Sequence, residues 1–519
     1  MATNSSFTQK FASSIVSTLT CFDRVIFKGH LPFGNDTHLN SFVDGVLRMR
    51  RKDFLPLLEE LSESLVAHAK EMAATAKVPY QYFEGHQRKE SLVQKMLQDG
   101  PVAEGLVTVL CFKETCRAVK LGSGEGRPRL YYARRPQRVL YFYFLDPEFG
   151  LMHVRLQTMF PYTMQVCING HNWLAQQLLR KKVGFVQHDN AFTGLDDPQR
   201  AQKLADRLPH LPWTKILERW ARQVNPLLAS QPWLTCPGQG YYWVIDQAEL
   251  STDLLFRSRA ELAKLYPRLL DHACLHFSAQ DILMFLGRRL HPRFDGEVLT
   301  TCQKERWPGA RIKHRMKNNW LKMYDKFGLL LRIETVINQP REFRVRRRGL
   351  RRGQPQMLWC PMSKGVSNFY HYHAVARAAN QRYLEALAVV DPPCTTQAML
   401  NRASRPVRYR NRPRRGLNLL HPDECRLFFA VLRGDHYLNG FRNRDVAEQL
   451  YTGAPKDLPE KRRRTARVSR LLQLLRAHGF IAKVPRAHRY TITRQGHALM
   501  NGAIYLRHKA FPKDLSDVA

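Results

Sequence analysis

Residues 422–493 read, in order, PDECRLFFAVLRG (422–434), DHYLNGF (435–441), RNRDVAEQLYTG (442–453), DLPEKRRRTARVSRLLQLLRAHG (457–479) and FIAKVPRAHRYTIT (480–493). The first segment carries Cys425, Leu427, Phe428, Val431 and Leu432 at helical spacing and stops at Gly434, so it predicts a helix with one buried face. The third is a short amphipathic helix with Val446, Ala447 and Leu450 inward, broken at Gly453 and Pro455. In the fourth, Val468, Leu471, Leu472, Leu474 and Leu475 form the apolar side, Arg463, Arg464, Arg467 and Arg470 the other, and Gly479 the cap. The fifth alternates apolar and polar residues on both sides of the basic tip Pro485 to Arg489, which is a hairpin pattern. A closing helix is expected from about Arg494.

This order of helix, helix, helix, hairpin and helix resembles a winged helix-turn-helix, and Tyr490 to Leu499 is similar to the exit from the wing in many winged-helix regulators. The resemblance covers residues 418–511 and implies a fold and a docking mode, not a biological role. A helix laid in the major groove needs long cationic side chains on its exposed face, where they reach phosphates or guanine edges. Arg463, Arg464, Arg467 and Arg470 are therefore candidate nucleic-acid contacts, joined by Arg486, His488 and Arg489 of the expected wing. The competing reading is a helix that only packs in a protein-docking module.

The whole chain, 519 residues with 82 Lys+Arg against 44 Asp+Glu, carries a formal charge of +38. Its 44% hydrophobic content is ordinary for folded protein, so disorder does not account for the charge. Such an excess attracts polyanions, and nucleic acid is the expected partner, DNA before RNA. No run of about 20 apolar residues offers a bilayer span, and no membrane is expected as partner. The first residues, MATNSSFTQKFASSIVSTLT, lack the charged start and apolar core of a secretory signal, and ten scattered cysteines form no C-x-x-C pair. A cytoplasmic protein with free thiols is expected.

Toward the N-terminus, CFDRVIFKGHL reads as a buried strand with Asp23 at its start, followed by a long helix through Leu55, Leu58, Leu61 and Leu65. Between Gly105 and Asn169 the period changes to two, predicting an antiparallel meander. There Tyr131, Tyr132, Arg134, Arg135 and Arg138 interleave aromatic and basic side chains, either as stacking platforms for a single strand or as a solvated edge over packed rings. The glycine-rich LGSGEGRPR reads as a hairpin tip, since it lacks the Lys-Ser/Thr ending of a P-loop. Residues 199–290 look mostly helical, and Asp246, Glu249 and Asp253 invite a metal reading, although their spacing also suits an ordinary helix surface.

From Gly309 to Val345, RIKHRM, WLKMYDK and LLLRIETVI predict three short strands. The pairing of Tyr324-Asp325-Lys326 with Arg332-Ile333-Glu334 resembles a strand pair in replication initiators of rolling-circle plasmids and filamentous-type phages. That resemblance implies a metal-dependent tyrosine nuclease, with Asp325 and Glu334 holding Mg2+ or Mn2+ and Tyr324 a candidate nucleophile. The alternative is a basic hairpin sheet whose acids pair with Lys313, Lys322 or Arg332. His371 and His373 lie in a segment of helical period and would point to different faces.

Two arginine-rich segments, REFRVRRRGLRRGQ with Arg346, Arg347 and Arg348, and NRASRPVRYRNRPRRG, read as linkers that track phosphates. The expected architecture is an α+β multidomain chain. It comprises a sheet-and-helix domain (1–198), a helical and β-hairpin domain (199–394), a basic linker (395–416) and a winged helix (417–519). The expected function is DNA binding. Alternatives are a metal-dependent nicking, replication-initiator or transposase-like enzyme of a mobile element, and a structured-RNA-binding protein.

Overall fold

A computed structural model describes residues 6–33, 36–85, 87–98, 104–124, 127–235, 240–288, 294, 296–304, 310–351, 353–390, 401, 403–409, 411–433, 436, 440–484 and 487–510. The fold mixes helices with a large sheet, and the chain divides into two units, Met1–Val390 and Asp391–Ala519.

The first unit is organised by strands β1 (Ile15–His30), β2 (Tyr80–Phe83), β3 (Gly105–Gly124), β4 (Arg127–Asp146), β5 (Gly150–Gln157) and β6 (Met164–Asn169). A ribbon, β7 (Phe185–His188) and β8 (Ala191–Leu195), follows. Then come β9 (Tyr242–Phe256), β10 (Val298–Lys304), β11 (Ala310–Met316), β12 (Asn319–Lys326) and β13 (Leu330–Ile337), and a second ribbon, β14 (Arg344–Arg351) and β15 (Gln354–Pro361). Eleven strands form one sheet in the order β10-β11-β12-β13-β9-β1-β6-β5-β4-β3-β2. Its two halves trace the same path. In each, a long strand (β1 or β9) leads through helices into a four-strand meander whose last strand, β6 or β13, returns beside the first. The halves join where β1 and β9 run antiparallel, Thr20 facing Thr252.

Alternation sets the layers. On β3, Val109 and Cys111 face the main core while Leu110 and Phe112 join Val93, Val139, Tyr141 and Tyr143 in a separate cluster on the other side. Helix Arg51–Thr75 presents Phe54, Leu58, Leu61 and Leu65 to the main core at helical spacing. Each such side chain removed from water contributes roughly 1.5–3 kcal/mol. On the C-terminal half, Leu331 and Ile333 of β13 are buried in the same core, and the helix Phe369–Leu387 packs on their side of the sheet. Asn380 of that helix accepts from Thr335 Oγ1 at 2.6 Å and donates to the Leu250 carbonyl at 3.0 Å, so its buried amide is satisfied.

The boundary expected at 198/199 does not divide the fold. β1 and β9 lie on either side of it in sequence and share a ladder from Ile15 to His30, which no local periodicity reveals. The expected linker 395–416 is also partly structure: Val407–Tyr409 pairs with Arg412–Arg414, and Ala403 is buried in the C-terminal core. Likewise Arg346, Arg347 and Arg348 lie on the β14–β15 ribbon rather than on a linker.

The C-terminal unit contains helices Pro422–Val431, Asn443–Leu450 and Leu458–Ala477, a hairpin of Ile481–Lys483 with Tyr490–Ile492, and helix Arg494–Tyr505. Leu427, Phe428, Val431, Val446, Val468, Leu472, Leu475, Phe480 and Met500 close its core. Phe441, just before the second helix, exchanges backbone hydrogen bonds with Tyr490 at 2.9 and 2.8 Å, tying that helix to the hairpin. The turn needs Gly440, whose φ is +65° and where a Cβ would lie 2.6 Å from the Tyr490 carbonyl oxygen. Among the described residues no helix is long and apolar enough to cross a membrane, and the described cysteines are free.

Candidate functional site

Where the halves of the sheet meet, charged side chains collect on the face opposite the helix Phe369–Leu387. Across the ladder Lys322 lies opposite Glu334 and Tyr324 opposite Arg332, while on the next strand Ser251 faces Glu334 and Asp253 faces Arg332. Residues facing one another share a side of the sheet, so β12, β13 and β9 place Lys322, Tyr324, Glu334, Arg332 and Asp253 together. β1 adds the rest. Its register against β9 shifts between Phe22 and Val25, and Arg24 from this irregular stretch reaches Glu249 (Nη2 to Oε1, 3.0 Å). Asp23, Glu249 and Glu334 each offer a carboxylate oxygen, all within 4.8 Å of one another.

The cluster has two sides. On one, Arg332 is fully enclosed and forks onto Asp253 through Nε and Nη2, both at 2.6 Å, while Nη2 also meets the Asn190 carbonyl at 2.6 Å. Asp23 receives Asn190 Nδ2 at 2.5 Å and Asn169 Nδ2 at 3.3 Å, with His171 Nδ1 and Arg332 Nη1 each 3.5 Å away. Burial works to raise the Asp23 carboxyl, but His171 and Arg332 outweigh it and hold it well below the usual range. Asp253 is likewise lowered: burial opposes, and the Arg332 charge prevails.

On the other side Glu249, despite Arg24 at 3.0 Å, is the acid left less compensated. Lys322 Nζ donates to Glu334 Oε1 at 2.5 Å but stands 3.9 Å from Glu249. Burial and the neighbouring Glu334 push the Glu249 carboxyl up. Tyr324 Oη donates to Glu334 Oε2 at 2.6 Å, and burial with the Glu334 charge keeps that phenol protonated far above its ordinary range. Oxygen donors of this kind suit a hard divalent cation, which would relieve the repulsion between Glu249 and Glu334.

Of the residues singled out in the sequence, Tyr324 and Glu334 belong to the cluster and Asp325 does not. Asp325 faces Leu331, on the opposite side of the sheet, since neighbours on a strand point to opposite faces. Asp325 and Glu334 are therefore not brought together, and the acids whose carboxylate oxygens do approach one another are Asp23, Glu249 and Glu334. Glu249 and Asp253 lie on a strand, where a spacing of four puts both on one face; Asp246 instead stands 3.7 Å from Lys364. His171 and Asn190 were not anticipated; of the cations expected to pair with the hairpin's acids, Lys322 does meet Glu334, while Arg332 pairs instead with Asp253 and lies 3.5 Å from Asp23. The available signal was acid and base inside apolar runs, as in CFDRVIF and LLLRIETVI, because buried charge demands a partner. His371 and His373 sit on a helix, His373 Nε2 lying 3.5 Å from Asp206.

The sheet at Tyr131 to Arg138 is not an open stacking platform. Tyr132 donates to the Phe33 carbonyl at 2.9 Å beneath Arg117, and Arg138 pairs with Glu63. Of the two arginines expected to bind there, Arg134 is exposed and Arg135 half-buried.

In the C-terminal unit, Asp457 caps helix Leu458–Ala477 by accepting from the Glu460 amide at 2.7 Å. Val468, Leu472 and Leu475 are buried, while Arg463, Arg467 and Arg470, spaced by four and three, are exposed. Arg464 is not displayed with them. It donates to Glu460 at 2.8 Å and to the Gly453 carbonyl at 2.9 Å and lies over the Tyr451 ring, so it braces the turn. On the hairpin His488 is exposed and Arg489 half-buried beside the Gly440 carbonyl; Arg486 lies outside the described residues. A concavity of about 710 Å³ between the second and third helices and the hairpin is lined by Arg442, Arg444, Tyr451, Lys461, Arg464 and His488. No protein-family model matches this chain, and no similar curated protein or solved structure was found.

Proposed function

We propose that this protein binds nucleic acid, gripping duplex DNA with its C-terminal unit in the manner of a winged helix-turn-helix. The observation that carries this reading is the stripe of Arg463, Arg467 and Arg470, exposed on the helix whose other side buries Val468, Leu472 and Leu475. Arg442 and Lys461 around the adjoining concavity extend the same positive surface, and the exposed His488 of the hairpin adds a hydrogen-bonding ring beside it. A helix so equipped matches the width of the major groove and the charge of its walls. Anisotropy titrations of a labelled duplex at several salt concentrations test it. The triple variant R463E/R467E/R470E is expected to weaken binding and to lower the slope of log affinity against log salt by roughly 0.9 for each phosphate that is no longer neutralised. Unchanged affinity and slope overturn the reading.

A second reading concerns the N-terminal unit: a divalent-metal-dependent enzyme acting on DNA phosphodiesters. The proximity of Asp23, Glu249 and Glu334 favours it. These three would hold the cation, which would polarise a scissile phosphate. Tyr324 Oη, giving its proton to Glu334, would form a phosphotyrosine ester as one P–O bond of the strand breaks, and that proton would pass to the released sugar oxygen as its hydroxyl. Titration with Mn2+, followed by its paramagnetic resonance, is expected to reveal a bound ion in the native chain and at least tenfold weaker binding in Glu334→Gln. Equal Mn2+ binding by both chains excludes the site.

A further inference from the structure

The β14–β15 ribbon stands outside the main sheet, and its pairing sets Arg344 opposite Pro361, Arg346 opposite Trp359 and Arg348 opposite Met357. Facing residues, and residues two apart on one strand, share a side. One face therefore carries three arginines about 7 Å apart along the strand, each backed by an apolar side chain. That face is bare: Trp359 is 65% exposed and Met357 50%, and the three arginines are exposed as well. Among the described residues none of these arginine side chains makes an ion pair or hydrogen bond, and no acid occurs between Phe343 and Pro361. An uncovered indole and thioether rimmed by solvated cations mark an interaction surface, and an anionic partner with a flat apolar surface complements it.

We infer that this face of the ribbon binds single-stranded nucleic acid, the arginines meeting successive phosphates and Trp359 stacking on an unpaired base. The spacing of Arg344, Arg346 and Arg348 is comparable to that of phosphates along an extended single strand, and an indole flanked by guanidinium groups is a sequence-tolerant platform for a base. In a duplex the bases are enclosed and an exposed indole has no ring to stack on, so the ribbon discriminates in favour of the unpaired strand. The inference stands apart from the duplex reading of the C-terminal unit, because it invokes different residues and a different form of nucleic acid.

The test uses the full chain with a labelled oligo(dT) of about 20 nucleotides, long enough for one binding unit, a duplex of the same length and anionic phospholipid vesicles. Trp359→Ala and the pair R346E/R348E are each expected to weaken oligo(dT) binding on the order of tenfold, the first by unstacking a base and the second by leaving phosphates without a cation. Trp359→Phe keeps a ring and retains most of the affinity, and its tryptophan fluorescence is quenched less by oligo(dT) than that of the native chain. Duplex affinity changes little in Trp359→Ala. The inference is overturned by any of three results: unchanged oligo(dT) affinity in Trp359→Ala, equal loss for duplex and single strand, or a loss confined to the vesicles.

Discussion

Arg332 and Arg467 are the same side chain put to opposite uses. Arg332 is sealed in the centre of the sheet, forked onto Asp253 and close to Asp23. Arg467 stands in solvent on the C-terminal helix. The centre of the first unit's sheet neutralises its charge internally, where the low local dielectric makes every partner matter, while the outer face of the C-terminal helix leaves Arg463, Arg467 and Arg470 available to a polyanion. Charge at these two places should therefore be separable by experiment: removing it from the sheet centre costs stability, and from the exposed helix face costs binding.

The sharpest break of this comparison is Arg332→Met. It leaves Asp253 and Asp23 buried without their main cation, and unpairing a buried charge costs about 3–5 kcal/mol. The unfolding transition of the N-terminal unit is expected to fall by that amount in denaturant melts, while the transition of the C-terminal unit holds. An N-terminal unit that tolerates the change would mean that Asn169, Asn190 and His171 suffice to hold the acids.

The converse variant is R463E/R467E/R470E. Exposed positions of this kind change folding stability by roughly 0.5 kcal/mol or less, yet reversing three charges should reduce duplex affinity on the order of 100-fold at moderate salt. A large stability loss in these melts would show that the stripe braces the fold, as Arg464 does through Glu460 and Gly453, rather than serving a partner.

The same contrast explains what could be read in the chain. The C-terminal helices were legible because their cores are local: Val468, Leu472 and Leu475 repeat at the helical period, and turns mark each end. Strands β11 to β13 were legible for the same reason, as alternating runs joined by tight turns. The acid cluster was not, because its members come from β1, β9 and β13, Asp23 lying more than 200 residues before Glu249, and only the antiparallel meeting of β1 with β9 brings the two together. Spacing also misled. Asp325 and Glu334 look paired along the sequence, but one step on a strand reverses the face, and Glu249 and Asp253 looked helical until the strand put them on one side.

Asp325 itself supplies the finest division of the two kinds of charge. It is an acid of the N-terminal unit without a close cation: burial pushes its carboxyl up to about 6, with the Gly328 backbone amide and Arg259 opposing only in part, and its Oδ1 is buried without a hydrogen-bond partner. Its folded value lies above the unfolded 3.8, so the fold favours the protonated form. The contribution is complete below the unfolded value and is lost as pH rises through about 6. Asp253 has the opposite sign: its lowered carboxyl stabilises the fold above the unfolded value and ceases to do so as pH falls. Asp325→Asn keeps the shape and removes the charge, so it should stabilise the N-terminal unit at pH 7 by about 1 kcal/mol after allowance for solvent screening of this half-buried group. The gain should shrink toward zero as pH falls to 4. Denaturant midpoints of the two chains measured across that interval decide the point. A gain that persists at pH 4 would trace the stabilisation to packing, and a loss at pH 7 would mean that the ionised carboxylate has a partner, Arg259 being the nearest candidate.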